Sequence, residues 1–86
     1  MELILNERKH AEELLETGNV GRKPSAAVTL LVRYYYHIHG LRRKKILAAV
    51  DEFMTVNYPG WNMDEWLNTI TRYINTAKKY PLLELD

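Results

Sequence analysis

The amino-acid sequence predicts an all-α protein, a compact domain of about four helices over residues 1–86, with a helix-turn-helix-like junction near Gly40. Three observations predict it. Apolar residues recur at the 3.6-residue helical period in successive segments. Turns rich in glycine and proline at residues 18–21, 39–41 and 58–60 cut the chain into pieces of helical length. Asparagine or proline stands where three of the four pieces would begin.

The first helix is expected over residues 6–17. Asn6 is placed to cap it, Glu7 suits the positive end of its dipole, and Ala11, Leu14 and Leu15 form its apolar stripe. Gly18, Asn19, Val20 and Gly21 then break it. The second helix runs from Pro24 to about residue 39. Pro24 suits a first helical position because its missing N–H would have no partner there. Val28, Leu31, Val32, Tyr35 and Ile38 follow at helical spacing, and Gly40 suits the left-handed position after the end. Residues 28–38 are also rich in β-branched and aromatic side chains, so a strand competes there. About 15 residues between proline and glycine favours the helix.

The third helix is expected over residues 42–57, with Ile46, Leu47, Val50, Phe53 and Met54 on one face. Tyr58, Pro59 and Gly60 end it. The fourth is the most strongly marked. Asn62 and Glu65 have capping-box spacing, and Trp61 and Trp66 have hydrophobic-staple spacing. Met63, Trp66, Leu67, Ile70, Ile74 and Ala77 form the stripe. Lys78 and Lys79 complement the C-terminal dipole, and Pro81 stops the helix by restricting Tyr80.

Composition narrows the function classes. The chain has 86 residues, 47% hydrophobic and 27% charged, which argues against global disorder and leaves little room for a deep cleft beside one core. It has no cysteine, which favours a cytoplasmic, reducing setting and excludes thiol catalysis and cysteine-based zinc sites. No apolar run approaches the roughly 20 residues of a membrane span. The opening residues lack the basic and long apolar regions of a signal peptide. The net charge of +1 conceals an asymmetry: residues 17–50 hold seven bases and no acid, between two flanks of net −3 each. That pattern predicts a basic face.

Arg42, Arg43, Lys44 and Lys45 are the most informative residues. At a helix N-terminus each cation is unfavourable by roughly 0.3–1 kcal/mol at low salt, so four together call for an anionic partner or remain a solvated, slightly frayed end. With Gly40 in the preceding turn, the third helix would be the recognition helix, its first turn meeting phosphates. Asp51 and Glu52 on the same helix count against base-specific readout. Arg22 and Lys23 form a second basic element before the second helix, and Arg33 is a possible addition. Tyr34, Tyr35 and Tyr36 resemble a base-stacking platform, but successive helical residues point about 100° apart. Tyr35 is therefore assigned to the core and Tyr34 or Tyr36 to the surface. His37 and His39 stand at i, i+2 and do not converge on a metal, so no metal or cofactor is expected. The motifs of hydrolases, P-loop enzymes, zinc proteases and dinucleotide-binding enzymes are all missing, and no carboxylates converge, so no enzyme activity is expected.

Residues 21–80 carry Gly21-Arg22, a helix leading to His39-Gly40-Leu41, a helix over 46–57, a proline turn, and a last helix with Ile70, Ile74, Ala77 and Tyr80. This pattern resembles the helical primase C-terminal (PriCT-type) domain of phage and plasmid primases, without the catalytic core. The resemblance implies a helical module from a mobile-element replication setting that touches DNA or a replication protein. The expected function is thus a small, non-enzymatic, nucleic-acid-associated module contacting phosphates through Arg22, Lys23, Arg33, Arg42, Arg43, Lys44 and Lys45. The alternative is a protein-interaction module or inhibitor docking on a host or phage nucleoprotein. A self-associating structural subunit is a third option.

Overall fold

The structure is a computed structural model that describes residues 6–18 and 21–82. Asn19 and Val20 of the first turn, and the opening residues 1–5, lie outside the described residues. Four helices follow in order: α1 (Glu7–Thr17), α2 (Pro24–His37), α3 (Arg43–Asn57) and α4 (Met63–Lys79). Helix α2 is central and packs against each of the other three, while α3 and α4 also pack on one another. The stretch for which a strand competes is helical. Its β-branched residues are tolerated because burial, rather than intrinsic propensity, holds the helix.

The helix ends follow local chemistry. Asn6 Oδ1 accepts the Lys9 backbone N–H at 2.9 Å. Asn62 Oδ1 accepts the Asp64 N–H at 3.1 Å, one position earlier than capping-box spacing places it, and the Glu65 N–H goes to the Asn62 carbonyl. Gly18 closes α1 at φ 76°, donating its N–H to Leu14. Helix α2 ends at His37, two residues early, where the Leu41 N–H reaches back to the Tyr35 carbonyl at 3.1 Å around Gly40 at φ 63°.

The main core joins Leu14 of α1, Ala27, Val28, Leu31 and Val32 of α2, Ile46, Val50 and Met54 of α3, Tyr58, and Ile70 and Ile74 of α4. A smaller cluster of Ala11, Leu30 and Tyr34 seals α1 onto α2. As a central helix, α2 is apolar on most sides. The tyrosine triplet therefore sorts differently from expectation. Tyr34 is the buried member, at 6% exposure, while Tyr35 and Tyr36 are half-buried. Tyr34 tolerates burial because its hydroxyl donates to Glu12 at 3.3 Å and its ring meets Tyr35 edge-on. On α4 full burial starts only at Ile70. Met63 and Trp66 are half-buried, and Leu67 is 37% exposed.

Two side-chain ties fix the relative direction of α3. At its start, Arg43 Nη2 donates to Thr71 Oγ1 at the middle of α4, a long contact of 3.4 Å. Eight residues on, Asp51 accepts the Trp61 indole N–H at 2.9 Å, just before α4 begins. Trp61 stacks on Trp66 at 5.3 Å between ring centroids. Helices α3 and α4 are thus antiparallel. Beyond the end of α3, the Tyr58 hydroxyl donates to the Arg22 carbonyl before α2 at 3.0 Å, so α2 and α3 are antiparallel as well.

Candidate anion-binding cleft

This topology sorts the seven cations predicted to form one basic face. Arg42, Arg43, Lys44 and Lys45 are all exposed at the start of α3, where Arg42 is the N-cap residue and provides no side-chain cap. The backbone N–H groups of the first turn have no intrahelical acceptor, so this helix end presents donors as well as side-chain charge. Arg22 and Lys23 lie at the opposite end of the domain. The 14 residues of α2 separate them from the α3 cluster by about 20 Å at 1.5 Å per residue.

Two of the seven are taken up in holding the fold. Arg33 donates from Nε to Glu7 Oε2 at 2.5 Å and from Nη2 to Glu7 Oε1 at 3.2 Å and the Pro81 carbonyl at 2.6 Å. Only 12% of its side chain and 14% of that of Glu7 reach solvent. Arg33 therefore ties α1 and the segment after α4 to α2, and it leaves the expected basic face. Arg22 is half-buried and donates from Nη2 to His10 Nδ1 at 2.7 Å, which joins the start of α2 to α1. Lys23 is exposed at the α2 N-cap, away from the α3 group.

What the fold does bring together is a cleft of about 270 Å³ where α2, α3 and α4 meet. Tyr36 of α2, Arg42 and Arg43 at the start of α3, and Thr71, Ile74, Asn75 and Lys78 of α4 line it. Three cations converge there with two hydroxyls and an amide, and among the described residues no carboxylate lines it. Lys44 and Lys45 lie one and two steps of about 100° further round α3 from Arg43, so they extend the positive surface outside the cleft. Asp51, which threatens any anion bound along α3, is turned to Trp61. Glu52 lines a separate groove with Leu15, Phe53 and Val56.

Thr71, Asn75 and Lys78 were not among the site residues expected from the sequence, where Lys78 was assigned to the C-terminal dipole of its own helix. They stand at i, i+4 and i+7 on α4, one polar edge beside the buried Ile70, Ile74 and Ala77. That edge is visible as a periodicity, but its meeting with the start of α3 needs the pairing of helices. The histidines serve packing: His39 lies against the Tyr34 and Tyr35 rings, and His37 meets Tyr36 edge-on. Among the described residues, no group of three His, Cys, Asp or Glu side chains is placed to hold a metal ion. No helix of the described residues is long and apolar enough to cross a membrane. No protein-family model, curated protein or solved structure matches this chain.

Proposed function

We propose that this protein is a non-enzymatic, nucleic-acid-associated helical module that takes phosphates at the start of α3. One observation carries the reading: Arg42, Arg43 and Lys78 converge from two helices on a cleft that no carboxylate lines among the described residues. Like charges held together at a helix N-terminus cost stability, and an anion recovers that cost. The cations and neutral donors of the cleft bind oxyanions but offer no acid–base pair, which supports binding rather than turnover. We read α3, across the turn at Gly40, as a recognition helix, and the likeness of residues 21–80 to the PriCT-type domain suggests a replication setting. The phosphate-contacting set is Arg42, Arg43, Lys44, Lys45 and Lys78. Lys23 is a peripheral contact, while Arg22 and Arg33 hold the fold.

The test is a fluorescence-anisotropy titration against duplex and single-stranded DNA across a salt series. Four to five phosphate contacts give a log–log slope of about −4 on duplex, at roughly −0.9 per contact, and about −3 on a single strand. Replacing Arg42, Arg43, Lys44 and Lys45 with Ala lowers affinity for all sequences alike and brings the slope to about −1. A wild-type protein that binds neither DNA at low salt refutes the reading and transfers the basic surface to an acidic protein partner.

A further inference from the structure

Resting on that reading, we infer that the α2–α3–α4 cleft takes the terminal phosphate of a nucleic-acid strand, a phosphomonoester, rather than an internal phosphodiester. The cleft and its surroundings differ in shape. Lys44 and Lys45 stand on open surface, where they can follow a backbone. Arg42, Arg43 and Lys78 surround a concavity of about 270 Å³ closed on one side by Tyr36 and Ile74.

The charge in the cleft is matched to a terminal group. An internal diester carries one negative charge and two free oxygens. A monoester carries about −1.5 to −2 near neutral pH and three strong acceptor oxygens. Three cations with no carboxylate among the described lining residues are over-supplied for the first and suited to the second. The neutral donors fit the same count. The Asn75 amide and the Tyr36 hydroxyl supply hydrogen bonds to whichever oxygens the cations leave, while the Thr71 hydroxyl donates to the Leu67 carbonyl at 2.9 Å and accepts from Arg43 at 3.4 Å. Arginine pairs with phosphate bidentately, which rewards an end group with every oxygen accessible. A strand end seated in this concavity leaves its neighbouring diesters free to lie along the exposed Lys44 and Lys45.

The experiment uses the full chain and a 12-nucleotide single strand in three forms: 5′-phosphorylated, 3′-phosphorylated, and hydroxyl at both ends. One phosphorylated form is expected to bind about tenfold tighter than the hydroxyl form, the gain of about one net charge-assisted hydrogen bond, and the two phosphorylated arms identify the strand end. Lys78→Ala should bring that preference to within about twofold, leaving the hydroxyl form weakened by less than the phosphorylated one. Lys78 is exposed, so this variant keeps its fold, which its circular dichroism will show. Asn75→Ala gives a second reading: it should reduce the preference with the salt slope unchanged, because it removes a hydrogen-bond donor and no charge. Equal affinity for all three strands overturns the inference while the phosphate-binding reading survives. Failure of all three to bind overturns both.

Discussion

Removing Arg33 separates the cation that holds the fold from those proposed to contact phosphate. Its guanidinium meets Glu7 through two nitrogens and also holds the Pro81 carbonyl. Both side chains of the pair are about one-seventh exposed. Breaking a fully buried pair by deleting one partner costs roughly 3–5 kcal/mol. Partial exposure, and the favourable place of Glu7 in the first turn of α1, reduce this to about 2–3 kcal/mol for Arg33→Met. For a domain of this size that lowers the Tm by roughly 10–20 °C. Guanidinium unfolding measures the cost. Adding Glu7→Gln to Arg33→Met should recover part of it, since no charge is then left without its counterpart. The same variant, titrated against DNA well below its Tm, should keep wild-type affinity and salt slope. A denaturation midpoint equal to that of wild type, or a slope smaller by about one contact, would refute the structural role and return Arg33 to the phosphate-binding set.

The other expectations are smaller and test separate parts of the fold. Lys44→Glu should stabilise the protein by about 0.3–1 kcal/mol by relieving the α3 dipole, yet weaken DNA binding; equal signs for the two effects would argue against a charge kept for binding. Gly18→Ala should cost about 1–3 kcal/mol by denaturant midpoint, because an added Cβ sits 2.6 Å from Asn57 Oδ1 at φ +76°, whereas Gly40→Ala meets open space and carries only the positive-φ penalty. Trp66→Ala should cost about 1–2 kcal/mol, less than the roughly 3–5 of a fully buried tryptophan, because Trp66 is half-buried against Trp61. At alkaline pH, burial holds the Tyr34, Tyr35 and Tyr58 hydroxyls above the ordinary 10.0, with Glu12 adding to the effect at Tyr34. The unfolded chain then loses protons first, so stability is full below pH 10.0 and falls as pH rises through the raised values; Tyr58→Phe should flatten that fall in a pH series of unfolding midpoints.

The elements that were legible in the sequence are those whose chemistry is local. Asn6 and Asn62 cap within three residues of themselves, Trp61 and Trp66 meet across one helical turn, and the α3 stripe of Ile46, Val50 and Met54 needs only its own period. The tyrosine triplet was not legible, because α2 is covered on several sides and one helical period cannot rank three residues that all face protein. Tyr34 is buried there because α1 supplies both Ala11 against its ring and Glu12 for its hydroxyl. The cations fail as a group for the same reason. Seven bases without an acid between residues 17 and 50 read as one face only if the segment folds onto one side. The antiparallel course of α2 and α3 instead sends Arg22 and Lys23 to one end and Arg42–45 to the other. Glu7, 26 residues before Arg33, then removes Arg33, and Lys78, from a flank whose net charge is negative, joins Arg42 and Arg43. A charge count along the chain therefore located the start of α3 because four cations stand there consecutively, and it mislocated the rest because ion pairing is settled by which helices touch. The cleft is defined by that contact: without α4 lying antiparallel to α3, Lys78 would serve only its own helix end, and Arg42 and Arg43 would face solvent with nothing opposite them to close around an anion.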